Sequence, residues 1–391
     1  MALYSAQHVQ RLRIIVTGGG TGGHTFPALT TITTLRGRLA ETGTEPEILW
    51  VGVRDGLEAK VARQNDVPFR AIVTGKLRRS PNPRELLRNF VDAFRIPLGV
   101  LQAVATVARN RPGVVLSTGG YVSVPIGLAA WLFRVPYLLH EQTLGLGLAN
   151  RILAKVATRI LLSHDASLES LPPKARARAA VTGNPIRPQI LAGDAHRGLA
   201  AFGLDPAVPL LLVTGGAGGA QQVNRMLTGA LPELLEYCQV VHQCGSLDHA
   251  DMKEFGAALP PHLAARYRVV DFIHDELPDL LSAAQLVVSR SGAGTIAELT
   301  ALGKACILVP YPWAAGDEQR ITARHLAEQG AAVMLDGDDA NPQRLSQVVR
   351  ELLADPRRSA AMAAQAARHG RPDAADNVVS EILLAAAQPK K

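Results

Sequence analysis

Ile14-Ile15-Val16-Thr17-Gly18-Gly19-Gly20-Thr21-Gly22-Gly23-His24 is the stretch on which the fold turns. A short β-branched run reads as a buried strand, and the glycines that follow read as a tight turn. Residues 26–41 then carry a helical pattern that ends near Gly43. Outward from this unit the grammar repeats. Strands are expected at 47–51 (Ile48, Leu49, Trp50, Val51), 114–116 and 136–139, with a helix over 124–133. Such βαβ alternation implies a parallel sheet covered on both faces. Gly183-Asn184-Pro185, with Pro188 soon after, has turn chemistry, and the pattern restarts beyond it. A strand at 210–213 leads into Gly215-Gly216-Ala217-Gly218-Gly219-Ala220 and a helix over about 221–237. Strands at 240–242, 268–270, 286–289 and 305–309 continue the series. The reading is two α/β domains of similar architecture, 1–185 and 186–391. The Ala-rich tail after Arg358 reads as helix, and the return of its last helix to the first domain is left open.

A chain of 391 residues with 47% hydrophobic and 19% charged residues can build two large cores, which excludes a mainly disordered protein. Cys238, Cys244 and Cys306 are too few and too unevenly placed for a disulfide framework or a zinc site, so buried thiols are expected. Residues 1–13 carry charge but no apolar core, so no signal peptide is expected. Apolar runs such as 124–133 fall short of the ~18 residues of a spanning helix. A cytoplasmic protein, at most peripheral to a membrane, is the expectation. Charge is uneven: residues 1–185 carry +12 and the remainder −5. Arg70, Lys76, Arg78, Arg79, Arg84, Arg88 and Arg95 crowd one region, interleaved with Leu86, Leu87, Phe90, Val91 and Phe94 at helical spacing. That pattern suits an anionic membrane surface or an ordinary core-facing helix. Nucleic acid is not expected, since aromatics are 4% and no recognition motif is present.

Gly18, Gly20 and Gly23 match GxGxxG. A dinucleotide site would place an acid about 20 residues on, and Asp55 lies too far along, so a nicotinamide site is the runner-up. More informative is the run from Val287 through Ser289-Arg290-Ser291-Gly292-Ala293-Gly294-Thr295-Ile296-Ala297-Glu298 to Leu299, a strand, a small-residue turn and a helix start. Unpaired amides and the helix dipole there favour a diphosphate. Glu298 lies about one turn in, placed either to accept from two vicinal hydroxyls or to cap. Ligands of doubly wound sheets bind beyond the carboxyl ends of the strands. Two domains facing each other would bring three loops to one cleft, with a nucleotide-diphosphate donor on the second and an acceptor on the first.

The ordered set Gly19-Gly20-Thr21-Gly22-Gly23-His24, Gly119-Gly120-Tyr121-Val122-Ser123, His140-Glu141-Gln142, Gly183-Asn184-Pro185 with Arg187, and 289–298 resembles the MurG family of GT-B glycosyltransferases (family 28) over about residues 14–335. The resemblance implies two Rossmann-like domains facing a cleft. It implies inverting transfer of N-acetylglucosamine from UDP-N-acetylglucosamine to the 4-hydroxyl of undecaprenyl-diphosphate-linked muramoyl-pentapeptide, in peptidoglycan synthesis, at the cytoplasmic face of the cell membrane. It also implies no cofactor and no metal for phosphate binding, because a helix terminus takes that role. Thr21, Gly22 and Gly23 would line the sugar–phosphate side, and Arg187 would meet the donor. Ile273 would contact uracil through its backbone. Ala293, Gly294, Thr295, Ile296, Ala297 and Glu298 would hold diphosphate and ribose, and Gln319 the sugar hydroxyls. Thr143, Ala217 and Thr322 depart from the family pattern, two replacing an expected Asn and Ala217-Gly218 replacing Ser-Gln, which bears on sugar recognition more than on fold.

Within that frame the attacking hydroxyl needs a base and the leaving diphosphate needs positive potential. His24, at the end of the glycine loop, is the first candidate base, its alternative being to shape the loop or bind phosphate. Glu141 is the second, or an orienting group for the acceptor, or a buried acid that ties down neighbouring backbone. Gly119, Gly120 and Tyr121 are acceptor-side candidates, Tyr121 equally a core aromatic. Arg290 either neutralises phosphate or pairs structurally. His140, His164, His242, His274 and His325 lack metal-ligand spacing. Asp336-Gly337-Asp338 matches a metal-binding DxD but reads better as a turn with capping acids. Two other functions stay open here: transfer to a different acceptor such as diacylglycerol, and nucleotide-sugar binding without turnover.

Overall fold

A computed structural model describes residues 12–75, 83–216 and 218–387, with only the backbone described over 83–94. Lys76, Arg78, Arg79 and Ala217 therefore lie outside the described residues, as do the side chains of Arg84, Leu86, Leu87, Arg88, Phe90, Val91 and Phe94. The chain divides into two compact units, residues 1–185 with 373–391, and residues 186–372.

The first unit holds seven strands: β1 (Arg13–Thr17), β2 (Glu47–Gly52), β3 (Phe69–Ala71), β4 (Val114–Ser117), β5 (Tyr137–Glu141), β6 (Arg159–Leu162) and β7 (Ala179–Val181). They form one parallel sheet in the order β3-β2-β1-β4-β5-β6-β7. Alternation along β1 explains the two-sided core. Ile14 and Val16 pack with Ile32 and Leu35 of the helix Gly22–Ala40. Ile15 faces the other side, with Val107, Ile126 and Leu139. The helix Ala374–Ala386 also belongs to this unit, because Val378, Val379 and Ile382 join the Ile14 side of the core. Arg159 fixes it further through two 2.9 Å hydrogen bonds to Glu381.

The second unit holds β8 (Leu210–Thr214), β9 (Gln239–Gln243), β10 (Tyr267–Val270), β11 (Leu286–Ser289), β12 (Cys306–Leu308) and β13 (Val333–Met334). Its parallel order is β10-β9-β8-β11-β12-β13. The three cysteines are buried thiols. Cys306 is pushed up to about 12 and Cys244 to about 11 by burial.

Strand order reverses between β1 and β4 in the first sheet and between β8 and β11 in the second. At such a switch the connections leave in opposite directions and open a crevice at the strands' carboxyl ends. The glycine loops after β1, β8 and β11 all lie at these two places.

Candidate active site

In the first unit the loop after β1 is held from both sides. Gly18 has φ +144°, and a Cβ there would fall 2.0 Å from Thr118 Oγ1. The Gly20 amide donates to Glu58 Oε2 at 3.1 Å, and the Val53 amide to Glu58 Oε1 at 2.9 Å. Glu58 is fully buried, so these amides are what its carboxylate has in place of water. Nothing in the sequence marked Glu58: an acid opening the short helix Leu57–Gln64 looks like a surface residue.

The helix expected from residue 26 begins at Gly22, so His24 lies in its first turn rather than ending the loop. The Thr21 carbonyl accepts from the His24 and Thr25 amides and from Thr25 Oγ1, which starts the helix despite two glycines. Thr21 and Gly23 are exposed, and Gly22 and His24 are half-buried.

His24 Nδ1 lies 3.0 Å from Gln142 Oε1, and its carbonyl accepts from Thr118 Oγ1 at 2.8 Å. Gly119 and Gly120, at φ +95° and +84°, line its ring: a Cβ on either would come within 3.3 or 3.4 Å of an imidazole carbon. Tyr121 is half-buried with its ring over Gly20. The loops after β1 and β4 thus meet around one imidazole.

Gln142, 1% exposed, ties this imidazole to the sheet. Its Nε2 donates to the Thr118 carbonyl at 2.8 Å and lies 2.9 Å from His140 Nδ1. His140 Nε2 in turn meets the Gly183 carbonyl at 2.9 Å. Burial pushes the His140 imidazole down to about 4, the Gly183 carbonyl opposing and His24 adding to the shift, so His140 is neutral at neutral pH.

Glu141 is 3% exposed and is bonded to partners other than this ring. Its Oε1 accepts from the Thr143 amide and lies 2.8 Å from the Thr143 hydroxyl, and its Oε2 accepts from the Gly147 amide and Asn150 Nδ2. Three N–H donors and the Thr143 hydroxyl, whose one proton is shared with the Gly145 carbonyl, thus surround the carboxylate. This geometry is that of a clamp on residues 143–150, as in the backbone-tying role read from the sequence.

In the second unit the helix Ala293–Ala301 starts behind Gly292, with no acid in its first turn. Its first internal bond runs from the Ile296 amide to the Gly292 carbonyl at 2.9 Å. Gly294 and Thr295 therefore keep helix-start amides without an intrahelical acceptor. Ile296 does not: its amide is engaged and its side chain is in the core. Ala297 is half-buried in the same helix. Arg187 Nη2 lies 3.1 Å from Glu298 Oε1. Burial raises the Glu298 carboxyl above its ordinary range while Arg187 opposes the shift.

Other expected donor contacts are already occupied in part. The Ile273 amide donates to Gln243 Oε1 at 2.9 Å, so contact through this backbone would fall to the carbonyl. Gln243 Nε2 also holds the Gly216 carbonyl, joining the second glycine loop to residue 273, a link that sequence reading missed. Gln319 Oε1 accepts from the Tyr311 amide, and its carbonyl from Ser291 Oγ. Thr322 Oγ1 donates within its own helix to the Glu318 carbonyl. Arg290 is engaged by Gln222 Oε1 and the Val309 and Pro310 carbonyls, which is structural pairing. Asp336 forms a two-bond pair with Arg320, which lowers its carboxyl and makes the DxD a turn fastened to a helix. His242 is buried between Tyr267 and Asn224.

Residues 14–162 match the glycosyltransferase family 28 N-terminal domain and residues 210–378 the glycosyltransferase family 28 C-terminal domain. The UDP-N-acetylglucosamine–N-acetylmuramyl-(pentapeptide) pyrophosphoryl-undecaprenol N-acetylglucosamine transferase of Desulforudis audaxviator is 36% identical over 375 residues, 95% of this chain and 98% of the relative. The enzyme of the same name from Halothermothrix orenii is 34% identical over 378 residues, 95% of this chain and 98% of its own. The crystal structure of Acinetobacter baumannii MurG covers 95% of this chain and 99% of its own at TM-score 0.73 and 27% identity. An S. aureus MnaA–UDP co-structure, at TM-score 0.65 and 15% identity, covers 97% and 99% and speaks to the fold alone.

Proposed function

The chain belongs to glycosyltransferase family 28, among its N-acetylglucosamine transferases of the MurG type, and on that premise we propose that it moves N-acetylglucosamine from UDP-N-acetylglucosamine to the 4-hydroxyl of undecaprenyl-diphosphate-linked muramoyl-pentapeptide, a step of peptidoglycan synthesis. The observation that carries this reading on the donor side is the helix start at Ala293–Ala301, set at the switch of the second sheet beside the Arg187–Glu298 pair. The Gly294 and Thr295 amides meet the diphosphate, where helix-dipole charge favours an anion. Arg187 turns from Glu298 to the donor's phosphate, and Glu298 then accepts from the ribose hydroxyls. Ile273 offers its carbonyl to uracil and Gln319 its amide nitrogen to the sugar.

On the acceptor side Gly119, Gly120 and Tyr121 line the pocket of His24. The acceptor oxygen attacks the anomeric carbon, the bond from that carbon to UDP breaks, and the hydroxyl proton passes to His24. Thr21, Gly22 and Gly23 face the transferred sugar and its phosphate. Inversion follows from a single displacement.

The first unit also supplies a face for a lipid-borne acceptor. Leu98 and Leu101 on the helix Pro83–Asn110 are exposed, as are Trp131, Leu132 and Phe133 at the end of the packed helix Ser123–Leu132, where Arg134 follows. Leu101 is 66% and Trp131 60% exposed. This is our proposed contact with the anionic cytoplasmic leaflet. Among the described residues no helix is long and apolar enough to cross a membrane.

A radiolabel assay with UDP-N-acetylglucosamine and short-chain lipid-linked muramoyl-pentapeptide tests the reaction: transfer is expected, and donor binding without transfer to this acceptor defeats the proposal. In the same assay His24→Ala should bind UDP normally and turn over about a hundredfold more slowly. Undiminished turnover removes His24 as the base.

A further inference from the structure

We infer that Gln142, oriented by His140, is a positioning residue that fixes the tautomer of His24, placing its proton on Nδ1 and its lone pair on Nε2. The inference rests on the reading of His24 as the base and deepens it. It starts from two carbonyl groups, which can only accept. The Gly183 carbonyl 2.9 Å from His140 Nε2 requires a proton on that nitrogen. His140, neutral in its buried site, then has an acceptor at Nδ1. The Thr118 carbonyl 2.8 Å from the Gln142 amide requires nitrogen, not oxygen, at that end. The second hydrogen of the same nitrogen meets His140 Nδ1 at 2.9 Å, with the His140 carbonyl, also an acceptor only, at 3.3 Å.

Both amide hydrogens are thereby assigned, and turning the amide over would set oxygen against the Thr118 carbonyl and against the His140 lone pair. Gln142 Oε1 must face His24 Nδ1, and at 3.0 Å the only hydrogen bond possible is donation from His24. Neutral His24 consequently keeps its free electron pair on Nε2, which has no protein partner among the described residues. Gly119 and Gly120 also lie beside the ring, leaving no room there for a larger side chain. A proton taken from the acceptor hydroxyl would be received at Nε2. The imidazolium so formed keeps its bond to Gln142, because Nδ1 remains a donor in both protonation states. Turnover thus needs no rearrangement of the relay.

Nitrogen NMR of the full-length protein with labelled histidine reads this directly, His24 being assigned by its loss in His24→Ala. At a pH where His24 is neutral, a protonated Nδ1 and bare Nε2 are expected. The opposite tautomer in the unsubstituted protein overturns the proposal without any variant. Gln142→Leu should release the tautomer and lower kcat about tenfold or more, with KM for UDP-N-acetylglucosamine unchanged. A Leu variant with unchanged tautomer and turnover also overturns the assignment. Full turnover in His24→Ala, by contrast, removes the base reading while the spectrum of the unsubstituted protein still decides the tautomer.

Discussion

Gly120 sits at φ +84°, with the Gly19 carbonyl 2.6 Å from where its Cβ would be and the His24 ring 3.4 Å away. An L side chain there meets both backbone strain and a carbonyl that cannot yield without moving the glycine loop. Gly120→Ala should therefore cost on the order of 1–3 kcal/mol of stability. It should also depress turnover more than UDP affinity, measured by denaturant unfolding alongside kinetics. Residue-scale reading of the sequence went as far as residue type. It placed His24, Gly119, Gly120 and Tyr121 on one list, and the folded chain brings them together. It could not separate Glu141 from a base, because only the fold shows three N–H donors and a hydroxyl converging on that carboxylate. Glu58 and Gln243 escaped it for the same reason, since their partners, Val53 apart, are backbone groups 27 to 38 residues away. Such pairings carry no local pattern.

At the scale of elements, strands with continuous apolar runs were legible: β1, β2, β4, β5, β8 and β11 stand where their Val, Ile and Leu runs put them. The three-residue β3 and β7 and the two-residue β13 are too short to show a period and exist through their neighbours' hydrogen bonds. The start of the first helix was misplaced because glycine is a poor helix former, whereas here the Thr21 carbonyl gathers the first turn. The helices Pro83–Asn110 and Ser123–Leu132 present apolar side chains to solvent that an isolated core would hide. Replacing Leu101 and Trp131 together by Ser should weaken flotation with anionic vesicles severalfold and leave transfer to a soluble short-chain acceptor intact. Equal flotation of both proteins would assign these side chains no role at a lipid surface. The last helix is of the opposite kind, its apolar side turned fully inward. Ile382→Ala should cost about 2–5 kcal/mol, read as a lowered denaturation midpoint of the first unit.

Taken whole, the molecule carries, among the described residues, one deeply buried, neutral histidine in each unit. His140 and His242 are both pushed down to about 4 from an ordinary 6.5, chiefly by burial. The unfolded chain then binds protons that the folded chain refuses between pH 6.5 and 4. Stability is full above that window and falls as pH drops through it, by on the order of 2 kcal/mol per histidine at pH 5. Urea unfolding at pH 7.5 and pH 5 checks this, with His242→Gln expected to remove about half of the difference. Which half of the chain belongs to which fold was largely readable from the restart after Pro185. The return of residues 373–391 was not, because an amphipathic helix does not name the sheet it covers. That return has a consequence for synthesis. The second unit is one uninterrupted segment and can fold as soon as it leaves the ribosome. The first, begun earlier, stays short of the helix that closes Ile14 and Val16 from water until the last stretch emerges. The half made first is therefore finished last, and it is the half most exposed to premature termination and to capture by chaperones.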